Sequence, residues 1–472
     1  MGQDRLAVVY NHMYVYDSSH TMAKSGNYTK AWDSPMALGG VSAQAISGKC
    51  GMSAIQLEKA ARQMHLVEQH RIDRHDPRFG ALDSAAFASK NLYNVALYQT
   101  RQRFIQAQAV IAYGELDRLM QPTPEYRALP AKVAQWVLKQ VCTAWDSYFA
   151  ACAAYQVNPS AFLGHPKLPK YLEKQGRNLL TYTEQAISTV SLRAGVISCS
   201  GLSARMKTGQ QAPHIQQVRI VPHATHYTVE VIYEQEVTPA DVDPTLVAGI
   251  DLGINNLATI ASNQPGFRPL LVNGRPLKAL NQWYNKRRAQ LQAKLPAGQH
   301  TSRRLDILTD KRQRQLDSYL HVASRRIIDT LVNHHIGTLV IGKNDGWKHQ
   351  VNLGKRTNQT FVLLPHARFI AMLEYKAALV GITVHRTEES YTSKCSFLDG
   401  EVVGKHQRYV GQRVKRGLFR TATGRQINAD VNGAYNIILK VVPNAFSNGG
   451  NGRAGVVVHP VRLALANWKH AA

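Results

Sequence analysis

Val247-Ala248-Gly249-Ile250-Asp251-Leu252-Gly253-Ile254-Asn255-Asn256-Leu257-Ala258-Thr259-Ile260 decides how the chain is read. An aspartate stands in the middle of an apolar strand, a glycine follows two residues later, and a second apolar run begins almost at once. Burying an unpaired carboxylate costs several kcal/mol, so folding normally keeps one out of such a strand. A bound cation removes that cost. The stretch therefore predicts a metal-binding aspartate on the first strand of a nuclease-type sheet, with Leu257–Ala261 pairing back on it and Leu270–Val272 as a third strand.

Downstream, a long basic helical region starts near Leu277. Leu316, Leu320, Ala323, Ile327 and Leu331 mark its buried face, and Lys311, Arg312, Arg314, Arg325 and Arg326 crowd the same region. Thr338–Ile341 reads as a short buried strand, and Pro365–Val380 as a helix stopped by Gly381. Ile382-Thr383-Val384 begins another strand with Glu388-Glu389 at its far end. Asn428–Lys440 is a helix with Asp430 in its first turn. This order of strands and helices is that of an RNase H-like sheet. Two-metal phosphodiester cleavage needs several carboxylates that share two divalent ions, and oxygen ligands suit magnesium or manganese.

The N-terminal half is organised differently. Residues 1–64 are rich in Gly, Ser and Ala and read as an extension that need not be ordered. Asp83–Tyr155 carries helical periodicity, and Pro159–Val237 carries strand signals, with Gln217–Val221 and Tyr227–Tyr233 alternating across a turn at His223–His226. This β region reads as a small barrel. The formal charge of +26 favours a polyanionic partner, and counterion release makes nucleic acid the natural one. No apolar run is long enough to span a bilayer, which predicts no membrane partner and a cytoplasmic, nucleoid-associated protein. The 5 cysteines are scattered, contain no Cys-x-x-Cys pair and point to a reducing compartment.

Gly249–Gly253, Tyr391-Thr392-Ser393-Lys394-Cys395-Ser396 and Asn428-Ala429-Asp430-Val431-Asn432-Gly433-Ala434-Tyr435-Asn436 together closely resemble the TnpB family of transposon-encoded, RNA-guided nucleases. Asn91-Leu92-Tyr93-Asn94 is similar to that family as well, and the resemblance covers roughly residues 65–442. It implies an α/β plus α+β multidomain chain: a RuvC-type RNase H-like nuclease domain, a β-barrel wedge domain and a helical recognition domain. The expected limits are 65–82 and 159–245 for the wedge, 83–158 for the helical domain, 246–441 for the nuclease with an insertion at 391–425, and 442–472 for a flexible tail. It also implies a guide RNA derived from the transposon end, a double-stranded DNA target beside a short adjacent motif, and cleavage of both strands by one site.

Two departures from the family pattern stand out. The family places a catalytic glutamate at the end of the strand corresponding to Thr338–Ile341, where this chain has Gly342. Glu388-Glu389 ends the next strand, which in a sheet of this kind is expected beside the first, a lateral step of about 4.8 Å. Fanzor proteins and some TnpB branches look similar, with the glutamate relocated just before the Thr-Ser motif. Glu389 is therefore the expected third ligand and catalytic residue beside Asp251 and Asp430, with Glu388 and Asp345 as substitutes. Loss of the glutamate without replacement would instead give a nuclease-inactive, RNA-guided DNA-binding repressor. The second departure is the insertion: the family's two cysteine pairs bind structural zinc, and only Cys395 remains here, so zinc is not expected. Arg413 and Arg416 in the insertion, Lys348 and Lys355 around Trp347, and Arg312 and Arg325 are the candidate nucleic-acid contacts. A transposase proper is a further alternative, against which the long units before Asp251 and the family motifs count.

Overall fold

The computed structural model describes residues 63–107, 109–211, 214–343, 363–447, 453 and 456–465. Residues 1–62, and with them most of the expected extension, lie outside these, as do Asp345, Trp347, Lys348 and Lys355. The chain divides into two compact units after Gln235.

In the first unit, β1 (Gln63–Asp73) precedes four helices: α1 (Phe79–Ala107), α2 (Tyr113–Met120), α3 (Pro124–Arg127) and α4 (Ala131–Val157). Leu82, Leu92 and Ala96 of α1 and Val137, Val141 and Trp145 of α4 are fully or almost fully buried in one core, as their helical spacing predicts. Polar residues on α1 hold an extended segment alongside it. Asn94 exchanges two hydrogen bonds with the Leu172 backbone (2.8 and 2.9 Å), Lys90 Nζ donates to Lys174 O and Arg101 to Pro169 O. Asn94 thereby acquires a physical reason: its carboxamide replaces a missing strand partner for that backbone.

The remaining elements of this unit are β2 (Leu180–Thr183), α5 (Thr189–Arg193), β3 (Val196–Ser198), β4 (Arg205–Lys207), β5 (Ile215–Pro222) and β6 (His226–Glu236). The order β1-β6-β5-β2 forms a four-stranded sheet, and β3-β4 forms a separate ribbon. The β5–β6 hairpin is the one expected, with Pro222 opposite Tyr227.

The second unit holds β7 (Asp243–Leu252), β8 (Asn256–Ser262), β9 (Leu270–Asn273), α6 (Arg275–Gln292), α7 (Arg303–Asn333), β10 (Ile336–Gly342), α8 (His366–Leu379), β11 (Thr383–Thr387), β12 (Gln412–Lys415), β13 (Leu418–Arg420), β14 (Gln426–Asn428), α9 (Ala429–Val441) and β15 (Val461–Arg462). The main sheet has the order β11-β10-β7-β8-β9-β15. β7, β8 and β9 are antiparallel neighbours, whereas β10 runs parallel to β7 and β11 parallel to β10. Three antiparallel strands continued by parallel ones across a helical connection make the RNase H-like sheet.

Three expectations need correction. The strand ending in Glu388-Glu389 is not beside β7. β10 stands between them, so the lateral reach is two strand spacings, about 10 Å. The unit boundary falls after Gln235 rather than after 245, because Ala240 N donates to Val380 O and Asp243 N to His335 O within the second unit. The tail is not wholly free: β15 pairs in parallel with Leu270 and Leu271, and Phe446 packs in the core beneath α9.

Helix α9 approaches β7 unusually closely, and glycine permits it. A Cβ on Gly249 would lie 2.4 Å from Ala434 O and 2.7 Å from Ile438 Cγ1, and one on Gly433 would lie 2.8 Å from Asp251 Oδ2. One glycine on the strand and one on the helix thus bring the helix backbone against the aspartate.

Candidate active site

Asp251 lies near the end of β7, opposite Thr259 of β8. Gly249, two residues earlier, faces α9, so the strand's two-residue period turns Asp251 to the same face. Its carboxyl is held well above the ordinary aspartate range, first by burial and then by the charges of Glu389 and Asp430, with Arg413 acting in the opposite sense.

Asp430 enters from the first turn of α9, three residues before Gly433 and therefore on the same helix face. Asn428 caps that helix, its Oδ1 accepting from Asp430 N (3.0 Å) and Val431 N (3.2 Å). The two Asp430 oxygens are held apart by separate partners: Asn256 Nδ2 donates to Oδ2 at 2.8 Å, and Arg413 Nη2 lies 3.4 Å from Oδ1.

Glu389 follows the end of β11 by two residues. Its carboxyl accepts from the Leu252 backbone and lies against Gly342, and burial lifts its pKa to about 7 although Leu252 and the Lys440 charge oppose the rise. Glu388 beside it is exposed. Of the two glutamates, Glu389 is the one brought to Asp251.

The loop carrying Glu389 is tied down from α9. Lys440 Nζ donates to Glu388 O (2.8 Å), Ser390 O (3.2 Å) and Ser390 Oγ (2.9 Å). Asn436 Nδ2 donates to Thr392 O and Cys395 O, while Asn432 donates to Cys395 O and accepts from Phe397 N. Asn428, Asn432 and Asn436 recur every four residues, which puts them on one helix stripe. The Thr-Ser motif and the α9 motif are therefore one hydrogen-bonded assembly. The period-four asparagines, which lie inside the quoted Asn428–Asn436 motif, are the sequence signal for it.

The other candidates separate clearly. Arg413 and Arg416 stand on the β12–β13 hairpin at the rim of this site. With the Asn255 carboxamide turned oxygen-inward, Arg416 donates to it at 3.1 and 3.3 Å. Arg325 is exposed and 3.5 Å from Asp329 one turn on. Arg312 corrects the expectation of a surface contact. It is 9% exposed, its guanidinium donates to Asn281 Oδ1 (2.7 Å) and Leu363 O (3.1 Å), and it covers the Tyr284 ring. A charge so engaged is packing, not a phosphate contact.

In the insertion, Cys395, Glu401 and His406 bring one possible ligand atom each within 4.8 Å of one another. Counting cysteines alone missed this trio. The Glu401 carboxylate is already occupied by backbone, accepting from Ser396 N (2.7 Å) and Val410 N (3.1 Å). Asp399 likewise accepts from Ser396 Oγ and Ala422 N. These carboxylates tie the turn at Cys395 to the strands beyond it.

The β7–α9 corner fits a divalent pair on its own chemistry. Asp251, Glu389 and Asp430 all offer carboxylate oxygens, and Asp251 is crowded by the other two acids in a desolvated place where a cation reverses the repulsion. Fold and donor set together define an RNase H-like domain of the RuvC type.

Known proteins extend this. The family model described as "Probable transposase" matches residues 230–348, and the one described as "Cas12f1-like, TNB domain" matches 366–437. TnpB-like protein ORF457 of Acidianus two-tailed virus is 23% identical over 419 residues, spanning 80% of this chain and 84% of that one. The CRISPR-associated endodeoxyribonuclease Cas12f2 of a Micrarchaeota archaeon is 26% identical over 229 residues, 46% of this chain and 41% of that one. Among solved structures, the chain is similar to one from a Cas12f1–sgRNA–target DNA complex, with 15% identity, a TM-score of 0.47, and 75% of this chain and 81% of that one covered. The matches bear out the resemblance to the TnpB family.

Proposed function

We propose that this protein is an RNA-guided DNA endonuclease. A guide RNA from the transposon end pairs with target DNA beside a short adjacent motif, and one site cleaves both strands. The observation that supports this reading best is the meeting of Asp251, Glu389 and Asp430, which come from three separate motifs. The formal charge of +26 suits polyanionic partners. Cas12f2 is named an endodeoxyribonuclease, and the similar solved chain is held with a single-guide RNA and target DNA. No helix among the described residues is long and apolar enough to cross a membrane, and a cytoplasmic, nucleoid-associated location goes with DNA as target.

Asp251, Glu389 and Asp430 are the residues to hold two magnesium ions, or manganese in their place. When bound, such a pair supplies the charge that makes an attacking hydroxide and steadies the leaving 3′ oxygen. The chain's own groups prepare the place. Asn256 fixes one Asp430 oxygen, Lys440 holds the Glu389 loop, and the Gly249 and Gly433 contacts keep α9 against β7. Arg413 and Arg416 at the rim offer guanidinium groups to a phosphate, as Lys348 and Lys355 offer ammonium groups to nucleic acid. In this reading base pairing reads the sequence while protein reads backbone and the adjacent motif.

The repressor alternative rests on Gly342, whereas the Glu389 carboxyl lying against that glycine favours a relocated ligand. The test is to purify the chain with its co-expressed locus, sequence the RNA that accompanies it, and assay magnesium-dependent cleavage of matching DNA. Cutting by the wild type and none by Asp251→Ala, with RNA binding retained in both, is the expected result. Wild-type protein that binds RNA and target without cutting establishes the repressor instead. Absence of any defined RNA returns the choice to a transposase.

A further inference from the structure

Gly342 is where the family pattern has its glutamate, and its surroundings explain the glycine. Ile341 pairs with Ile250 and Gly342 with Thr387, so Gly342 stands in the row of Asp251, between that residue and the strand that leads to Glu389. A Cβ placed on Gly342 would lie 2.6 Å from Glu389 Cγ, 2.6 Å from Glu389 Oε1 and 2.6 Å from Ile437 Cδ1. Real Cβ contacts essentially never come so close. Ile437 offers the far end of a flexible side chain. The Glu389 carboxyl is buried and accepts from the Leu252 backbone, and Lys440 holds the loop on both sides of it, so the side chain cannot yield without leaving the corner.

We infer that Gly342 is a positioning residue: its missing side chain is the passage through which Glu389, rooted two strands from Asp251, reaches the carboxylate corner, so that a glutamate at 342 and one at 389 exclude each other. The site holds one acidic side chain in that volume, and it can be rooted in β10 or after β11. Losing the glutamate from β10 is then a requirement of the relocated one rather than a sign of decay. This rests on the reading of Asp251, Glu389 and Asp430 as a metal site.

Two measurements on the full-length protein test it, neither of which is cleavage. The first is Mn2+ binding followed by calorimetric titration. Gly342→Ala is expected to weaken it about ten- to a hundredfold, the scale of lost ligand positioning, and Gly342→Glu to weaken it at least as much. The exchanged pair Gly342→Glu with Glu389→Ala is expected to recover binding that Glu389→Ala alone lacks. The second is metal-free stability. Gly342→Ala is expected to lower the urea midpoint in the wild type and to lower it much less in the Glu389→Ala background, because the obstructing side chain is gone. Wild-type protein that binds no Mn2+ rejects the metal site itself. Wild-type binding that Gly342→Ala leaves unchanged, or a stability cost that is the same with and without Glu389, overturns the exclusion while leaving the metal site standing.

Discussion

Two groups of carboxylates in the second unit face opposite demands. In the insertion, both oxygens of Glu401 accept backbone N–H groups, and Asp399 accepts from a hydroxyl and a backbone N–H. At the β7–α9 corner, Asp251 is pressed against Glu389 and Asp430, with burial and like charge both working against its ionisation. The first arrangement lowers the energy of the fold by satisfying donors. The second raises it. A fold keeps such a cost when something outside the chain removes it, and that difference, rather than acidity, separates a structural carboxylate from a binding one.

The sharpest way to break the comparison is to neutralise one member of each group. Asp251→Asn is expected to abolish detectable cleavage while raising the metal-free melting temperature, since it removes a buried acid whose ionisation burial and two acidic neighbours oppose. An Asp251→Asn protein that melts below the wild type would remove the contrast altogether.

Glu401→Ala is expected to do the reverse. Hydrogen bonds to a charged group contribute about 1.5–3 kcal/mol each, so two place the cost at about 3–6 kcal/mol, concentrated in the insertion. Hydrogen exchange at Ser396 and Val410 measures it directly. If the Cys395, Glu401 and His406 atoms instead hold a metal, stoichiometric zinc in the purified chain and a chelator-sensitive melting curve will say so.

How far the sequence announced each group follows from the same physics. Asp251 stands out because its apolar neighbours leave a lone charge unexplained, and Asp430 because the motif around it is long. The row order β11-β10-β7 was not legible, since no local pattern says which strand lies between two others, and the role of Gly342 depends on that order. β15 has 2 residues and pairs with residues far upstream, so it leaves no periodic trace. Arg312 was misplaced because charge counts as surface in any pattern reading, whereas its partners Asn281 and Leu363 are distant in sequence. Glu401 was missed because its partners are backbone groups, which carry no sequence signature.

Lys376 puts the same question with the opposite charge. It is 2% exposed, between α7 and α8, and its Nζ donates to Ser324 Oγ (2.7 Å) and His321 O (2.9 Å). Burial, assisted by the Arg325 charge, brings its pKa down from the ordinary 10.5 to about 7. Between those values the unfolded chain binds the proton and the folded one does not, so stability rises with pH across that window. Below pH 7 both states are protonated and the full cost is present, at most about 5 kcal/mol by the size of the shift. Urea denaturation of Lys376→Met against the wild type is therefore expected to show the variant's relative advantage shrinking steadily from pH 7 to pH 10. A difference that stays flat over that range means the amine is charged throughout, as a structurally satisfied group would be.

The smallest effect concerns the cation that touches Asp430 in the crowded corner. Arg413 Nη2 lies 3.4 Å from Asp430 Oδ1, and its side chain is 44% exposed. An ion pair of this kind contributes about 0–1 kcal/mol. Its weakness suits a placeholder, because a divalent ion that engages Asp430 has to displace it at little cost. Arg413→Ala should then leave the melting temperature within about 1–2 °C of wild type, as a loss of that size predicts for a unit this large. The same variant should bind Mn2+ up to about fivefold more tightly, as removal of a competing charge worth up to about 1 kcal/mol dictates. Lys415→Ala, two residues along the same exposed strand, removes an equal charge with no such contact and sets the control. Equal tightening by both variants would make the effect one of general field, and Arg413 would then have no part of its own in how the corner fills.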